Sequence, residues 1–98
     1  AEAKQLIIKA LTFAPDDPFI TDSLGWVEFR LGNLNSALTV LEKAYKARKD
    51  AEIAAHLGEV LWQLKRRDEA IQIWREGLDL SPANDTLQET LQRIKPPL

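Results

Sequence analysis

Cysteine is absent from this 98-residue sequence, and histidine occurs only once, as His56. Without cysteine the chain can form neither a disulfide nor a thiolate metal site. A zinc ion bound at His56 would need three carboxylates as its other ligands, and the sequence shows no such cluster. The sequence therefore predicts neither a metal ion nor a cofactor.

Long hydrophobic runs and a strong charge excess are also missing. No apolar stretch approaches the roughly 18 residues of a membrane-spanning helix, and no signal-peptide pattern is present. A net charge of -2 and a pI near 5.4 provide no field that attracts nucleic acid or anionic lipid. The apolar content of 45 % is that of a folded domain. Because the chain begins with Ala1, we expect an excerpt of a longer protein.

Motifs of catalysis and of nucleic-acid binding are lacking as well. The sequence has no Gly-x-Ser-x-Gly, no phosphate-binding glycine loop and no Gly-x-Gly-x-x-Gly. The adjacent carboxylates Asp16 and Asp17 fit a solvated turn, and the glycosylation sequon at 84–86 is explained by a helix cap. The basic run at 65–67 has no wider basic face beside it, so a solvated turn explains it better than nucleic-acid binding. We predict a protein that is not an enzyme.

An internal repeat of small residues is the main positive feature. Two sets of three positions are separated by 34 and then 33 residues: Ala3, Ala37 and Ala70, and Ala10, Ala44 and Gly77. A third set, Gly25 and Gly58, is separated by 33 residues. Such a period is typical of stacked supersecondary units. Helix axes that cross about 8 Å apart need glycine or alanine at the crossing. Large side chains at these positions would hold paired helices apart.

Each repeat reads as two helices. In the first, Asp17 caps a helix that has Pro18 in its first turn, and Gly32 ends that helix in the left-handed conformation. Its second helix runs from about Leu34 to Arg48, with apolar residues at helical spacing.

The second repeat follows the same scheme. Asp50 caps its first helix, residues 65–67 make the turn, and Asp68 and Glu69 begin a helix that ends at Leu80. A sixth helix covers residues 84–95. There Asp85 and Gln88 have the spacing of a capping box, the apolar stripe is narrow, and two prolines follow.

These positions resemble the tetratricopeptide repeat. The residues that carry the resemblance are Leu24, Gly25, Gly32, Ala37, Leu41 and Ala44 in one unit, and Leu57, Gly58, Leu61, Ala70, Trp74, Gly77 and Pro82 in the next. The resemblance implies an all-α, right-handed superhelix of antiparallel helix pairs with about six helices. It forms one domain over 1–98, with the second helix of a truncated repeat at 1–15, repeats at 18–49 and 51–82, and a capping helix at 84–95. Glu28 and Lys49 depart from the pattern and suggest a locally loosened first repeat.

The resemblance also predicts a binding groove on the concave side, which the first helix of each pair lines. The predicted groove residues are Phe19, Asp22, Trp26, Phe29 and Arg30 from one repeat, and Ala55, Glu59, Trp62 and Gln63 from the next, with His56 near the edge. Exposed aromatic residues such as Trp26, Phe29 and Trp62 are typical binding anchors, while Asp22, Arg30 and Glu59 orient a ligand by charge. Alternatively, Trp62 or Phe29 packs against a neighbouring repeat or the cap.

The function that this resemblance implies is non-catalytic binding of a protein or peptide. The carboxylate clamp of some family members is not expected, because its positions hold Asp22, Ser23 and Trp26, then Ala55, His56 and Glu59. The stretches 22–26 and 54–62 are similar to the last repeats of large bacterial tetratricopeptide lipoproteins. Such scaffolds sit on the periplasmic face of the outer membrane and recruit envelope proteins, including proteases. A cytoplasmic bacterial scaffold is the other interpretation.

A structural role is the alternative function. The first helix carries apolar residues with no evident partner: Leu6, Ile7, Ile8 and Leu11. Apolar surface of this kind marks an interaction site. In this interpretation the segment stacks on upstream repeats or self-associates, and it has no external ligand.

Overall fold

The protein is all-α, as predicted. Its computed structural model describes residues 2–98, and this range contains six helices and no strand. The helices are α1 (Glu2–Phe13), α2 (Pro18–Arg30), α3 (Leu34–Ala47), α4 (Ala51–Gln63), α5 (Arg67–Leu80) and α6 (Asp85–Ile94). They form two compact units, of which one contains α1 to α3 and ends at Arg48, and the other begins at Lys49 and contains α4 to α6.

The predicted ends of α2 and the start of α4 are confirmed. The carboxylate of Asp17 accepts hydrogen bonds from the backbone N–H groups of Phe19 at 2.9 Å and Ile20 at 3.2 Å. Asp50 caps α4 in the same way. Gly32 follows α2 with a φ of +85°, which glycine adopts without steric cost. Local sequence alone is enough to define these boundaries.

Two predicted helix starts need correction by one residue each. The cap of α6 is Asn84, whose side-chain oxygen accepts from the N–H of Leu87 at 2.9 Å. Asp85 is therefore the first helical residue, and the capping box predicted for it is wrong. Arg67 belongs to α5 and not to the preceding turn, since Lys65 completes that turn with a φ of 65°.

Glycine allows the paired helices to approach closely, as the repeat predicts. A Cβ atom on Gly25 of α2 would lie 2.5 Å from Cγ of Leu41 on α3. A Cβ atom on Gly58 of α4 would lie 2.1 Å from Nε1 of Trp74 on α5. Leu41 and Trp74 are both fully buried. A large side chain on the second helix of each pair therefore occupies the space that its partner's glycine leaves.

Glu28 does not loosen the first repeat, and that prediction is wrong at this residue. Its buried carboxylate forms an ion pair with Lys4 of α1 at 2.6 Å and accepts a hydrogen bond from the side-chain amide of Asn33 at 3.1 Å. The interaction with Lys4 lowers the pKa of Glu28, although burial opposes that shift. Glu28 therefore stabilises the docking of α1 on α2.

Helix α6 packs on α4 through residue pairs that are one repeat apart. Thr86 donates to Glu52 at 2.9 Å, and Arg93 donates to both oxygens of Glu59 at 2.7 and 2.8 Å. Both pairs have a sequence separation of 34. Leu87 lies between them and is fully buried. The contacts of α6 with α4 thus follow the period of the repeat.

The first prediction concerns the glycine contact in α4. Gly58→Ala places a methyl group against the buried indole of Trp74, so we expect the free energy of unfolding to fall by about 1–3 kcal/mol. This steric cost exceeds the helix-propensity gain of about 1 kcal/mol that alanine brings. Urea unfolding followed by circular dichroism measures the change.

The matched control is Gly77→Ala in α5. Its new Cβ atom would lie 3.1 Å from the nearest side-chain atoms, of Ala54 and Leu87. Small adjustments relieve such a contact, so we expect a much smaller effect. A Gly58→Ala protein that is as stable as the wild type would contradict the close-packing account.

The second prediction is a pH dependence that arises from Glu28. Because its pKa is lower in the folded state, its stabilisation is present above the ordinary value of 4.5 and is lost as the pH falls through the folded value. At neutral pH we expect Glu28→Gln to cost about 1–3 kcal/mol of stability. The difference in the free energy of unfolding between wild type and Glu28→Gln should disappear in acid.

Urea titrations of both proteins between neutral pH and strong acid measure this gap. Glu42→Gln on the exposed side of α3 removes the same charge and serves as the control. A gap between wild type and Glu28→Gln that stays constant through the acid range would show that ionised Glu28 is not the source of the stabilisation.

Candidate protein-binding site

An aromatic row lies along α2, in the unit that contains α1 to α3. Phe19, Trp26 and Phe29 are separated by seven and three residues, which places them on one helix face. The rings of Trp26 and Phe29 stack with their centroids 4.8 Å apart and an interplanar angle of 19°. Both side chains are half-buried. We call Phe19, Trp26 and Phe29 the α2 aromatic row.

The first member of the row has a cationic neighbour. Phe19 is 44 % exposed, and the guanidinium carbon of Arg48 lies 5.4 Å from its ring centroid. This distance is within the range of a cation–π interaction. Arg48 follows α3 directly, so the α2–α3 packing brings it to the start of α2. The row therefore begins beside a positive charge.

The two polar groove candidates on α2 differ in exposure. Asp22 is buried, with 4 % of its surface exposed, whereas Arg30 at the end of the helix is exposed. Arg30 follows Phe29 in sequence, so a second positive charge lies at the other end of the row. Arg30 can reach a ligand from the surface, and Asp22 can do so only if its surroundings move.

Trp62 on α4 packs inside its own helix pair, whereas the alternative given by the sequence was packing against a neighbouring repeat or the cap. Its ring lies 5.6 Å from that of Trp74 at an angle of 38°, within the same helix pair. The guanidinium carbon of Arg67 is 4.5 Å from the Trp62 ring centroid. Trp62 is half-buried. One part of the ring thus belongs to the α4–α5 packing, and only the rest is available to a ligand.

The remaining candidates on α4 are mostly engaged inside their own unit. Ala55 is fully buried, and its carbonyl accepts a hydrogen bond from the indole N–H of Trp74 at 3.4 Å. Glu59 is 4 % exposed and forms the bidentate pair with Arg93. Gln63 is exposed. Of these three residues, only Gln63 presents its side chain at the surface.

The ligand-orienting role of Glu59 stays a prediction, and the structure gives this residue a partner in its own unit. Bidentate pairing with a carboxylate is a strong interaction for arginine, and Glu59 together with Glu89 raises the pKa of Arg93 above its usual range. A carboxylate that is buried and paired in this way holds α6 on α4. Positions 59 and 93 are 34 residues apart, which is one repeat. This spacing is the feature of the sequence that corresponds to the Glu59–Arg93 pair.

The described part of the chain has neither a metal-binding cluster nor a membrane-spanning helix. Residues 2–98 contain no group of three or more His, Cys, Asp or Glu side chains that could hold a metal ion. Over the same residues, no helix has the length and apolar character needed to cross a membrane. The feature with a recognisable binding chemistry is the α2 aromatic row, because stacked, half-exposed rings offer a large apolar contact area.

Comparison with known proteins identifies the repeat. A tetratricopeptide-repeat family model matches residues 23–50 and 51–84, more than half of the chain. The chain belongs to the tetratricopeptide-repeat family. Members of this family generally mediate protein–protein interaction and are generally not enzymes.

Two curated relatives illustrate the range of the family. A TPR repeat-containing protein of Pseudomonas aeruginosa is 48 % identical over 93 residues, which cover 95 % of this chain and 16 % of the relative. The human cell division cycle protein 16 homolog is 32 % identical over 92 residues, with 84 % of this chain and 15 % of the relative covered. The chain thus spans about one sixth of the length of these relatives.

A solved structure supports the same fold. The protein MamA superimposes with a TM-score of 0.66 at 23 % sequence identity, covering 94 % of this chain and 56 % of that chain. At this identity the likeness concerns the fold alone. It confirms the tetratricopeptide-repeat fold that the sequence predicts.

The third prediction separates the two partly exposed tryptophans by their effect on stability. Trp62→Ala removes packing against Trp74 and the contact with Arg67, so we expect a loss of about 2–3 kcal/mol, less than the cost for a fully buried tryptophan. Trp26→Ala removes a ring whose stacking partner lies on the same helix and should cost about 1 kcal/mol. Chemical unfolding of both variants measures which substitution lowers the free energy of unfolding more. A larger loss for Trp26→Ala than for Trp62→Ala would contradict the internal role of Trp62 and the surface role of Trp26.

Proposed function

We propose that this chain is a non-catalytic module that binds a protein or peptide segment and forms the C-terminal part of a larger bacterial scaffold. Membership of the tetratricopeptide-repeat family supports the general function. The relative in Pseudomonas aeruginosa, of which the chain spans only 16 %, supports the bacterial scaffold. The predicted groove residues are the proposed binding site.

The observation that carries this proposal is the α2 aromatic row. Aromatic residues are enriched among the few interface residues that supply most of the binding energy. The stacked pair of Trp26 and Phe29 is held in place by its own helix, so little conformational entropy is lost when a ligand covers it. The row therefore meets the main requirement of a binding anchor, which is a rigid apolar surface in contact with solvent.

Most of the predicted positions on α4 are engaged inside their own unit. The outer part of the Trp62 ring and the exposed Gln63 are the groups that α4 offers a ligand. Ala55 and Glu59 are buried and offer a ligand little surface.

The ligand that fits these groups is an apolar peptide segment, either extended or helical. Apolar side chains of such a segment would pack on the rings of the α2 aromatic row, and polar groups would contact Arg30 at its edge. The carboxylate clamp remains outside this proposal, because the corresponding positions hold Asp22, Ser23 and Trp26.

The fourth prediction is a loss of partner binding when the α2 aromatic row is truncated. The bait is this chain, and its partners are captured from cytoplasmic and cell-envelope fractions of Pseudomonas aeruginosa. A Trp26→Ala/Phe29→Ala protein should lose the partner that wild type retains. Once that partner is identified, calorimetry should show a loss of about 2–4 kcal/mol for each anchor, which is about 30- to 1,000-fold in Kd.

The matched control is Phe13→Ala, which removes an aromatic ring that is 82 % exposed on α1 and outside the proposed site. All baits are first compared by circular dichroism to verify their helix content. Partner retention by the double variant equal to that of wild type and of Phe13→Ala would remove the α2 aromatic row from the binding site.

A further inference from the structure

Two arginines of this chain lie over aromatic rings of the predicted groove, one in each unit. In the first unit the guanidinium carbon of Arg48 is 5.4 Å from the ring centroid of Phe19. In the second unit that of Arg67 is 4.5 Å from the ring centroid of Trp62. Both arginines are exposed, and both rings keep part of their surface exposed. We call Arg48 with Phe19, and Arg67 with Trp62, the arginine–ring pairs.

The arginines of these pairs have no anionic partner in the described part of the chain. Between residues 2 and 98 the structure shows no ion pair of a carboxylate with either Arg48 or Arg67. Three other arginines each bind an oxygen acceptor: Arg66 on Glu69, Arg75 on the backbone carbonyl of Leu98, and Arg93 on Glu59 and Glu89. The two arginines beside groove rings therefore differ from these three in what they contact.

Acidic residues that are close in sequence are already engaged elsewhere. The carboxylate of Asp17, near Phe19, accepts hydrogen bonds from two backbone N–H groups at the start of α2. Glu69, near Arg67, pairs with Arg66. The positive charge of each arginine–ring pair is therefore available to a negatively charged ligand.

A guanidinium that lies over a ring can still bind a carboxylate. The ring attracts the positive charge through its quadrupole, whereas a carboxylate accepts hydrogen bonds from the N–H groups of the guanidinium. The contact with the ring also restricts the orientation of the arginine, so less conformational entropy is lost when a carboxylate binds. The uncovered part of the ring offers apolar contact area beside that charge. Each pair thus provides a carboxylate site next to an apolar site.

We propose that the ligand is an acidic peptide segment in which Asp or Glu residues stand beside apolar residues. This inference rests on the proposed function and specifies the charge of its ligand. Arg48 and Arg67 bind carboxylates of the segment, and the exposed parts of Phe19 and Trp62 pack on the apolar side chains next to them. Neither arginine stands at a position of the carboxylate clamp, so the recognition is a different one. The net charge of -2 favours a peptide over a nucleic acid as the source of the negative charge.

Selection from a random peptide library displayed on phage tests the proposal with this chain as the target. We expect the selected peptides to be enriched in Asp and Glu next to Leu, Phe or Trp. The tightest peptide is then synthesised and its Kd is measured by calorimetry. Arg48→Gln and Arg67→Gln should each weaken its binding about tenfold, because a hydrogen bond to a charged group is lost. Added salt should weaken binding to wild type more than binding to the Arg48→Gln/Arg67→Gln protein.

The matched control is Arg75→Gln, which removes the same charge from an exposed arginine that contacts no groove ring. It should leave the Kd unchanged, and circular dichroism verifies that every variant keeps its helix content.

Three other results would overturn the proposal. Selected peptides that lack acidic residues, or that bind the double variant as tightly as wild type, would refute the acidic ligand and leave the proposed function intact. A library that yields no peptide would contradict the proposed function as well. Tighter binding of a single-stranded oligothymidylate than of any selected peptide would assign the arginine–ring pairs to phosphates and bases.

Discussion

The close approach of a glycine to a large side chain is the contact on which both units of this protein depend. Gly58 meets the indole of Trp74, and Gly25 meets the side chain of Leu41, at distances that leave no room for a Cβ atom. The large residue, Leu41 or Trp74, lies on the second helix of each pair and is buried against the glycine of the first helix. This contact fixes the register of the two helices. The first helix of each pair also packs on a third helix, α1 in the first unit and α6 in the second.

The aromatic residues are divided according to this constraint. Trp74 is fully buried and belongs to the core, while Trp62 packs partly on Trp74 and partly under Arg67. Trp26 and Phe29 instead stack on each other along one helix. A ring that is satisfied by a neighbour on its own helix can remain at the surface in a fixed orientation. This division is the physical basis for the proposal that α2 carries most of the binding surface.

Local sequence patterns were enough to predict much of this fold. The parts that could not be predicted depend on pairing between side chains that are far apart in sequence. The caps at Asp17 and Asp50 and the small residues at the helix crossings depend on neighbours in sequence or on the repeat period, so they could be derived. The bidentate pair of Glu59 with Arg93 and the ion pair of Glu28 with Lys4 depend on which charged residues meet after packing. For that reason Glu59 was predicted to face a ligand, and Glu28 to weaken its repeat. The binding of a partner by Trp26 and Phe29 stays a prediction.

The most direct measurement of the central claim is the solvent accessibility of the three tryptophan rings in solution. An NMR experiment with a soluble paramagnetic agent reports each ring separately, because the chain contains only Trp26, Trp62 and Trp74. The account predicts strong attenuation of Trp26 signals, weaker attenuation of Trp62 and almost none of Trp74. Attenuation of Trp74 equal to that of Trp26 would contradict it, since the glycine contact would then fail to bury the ring that holds the helix pair together.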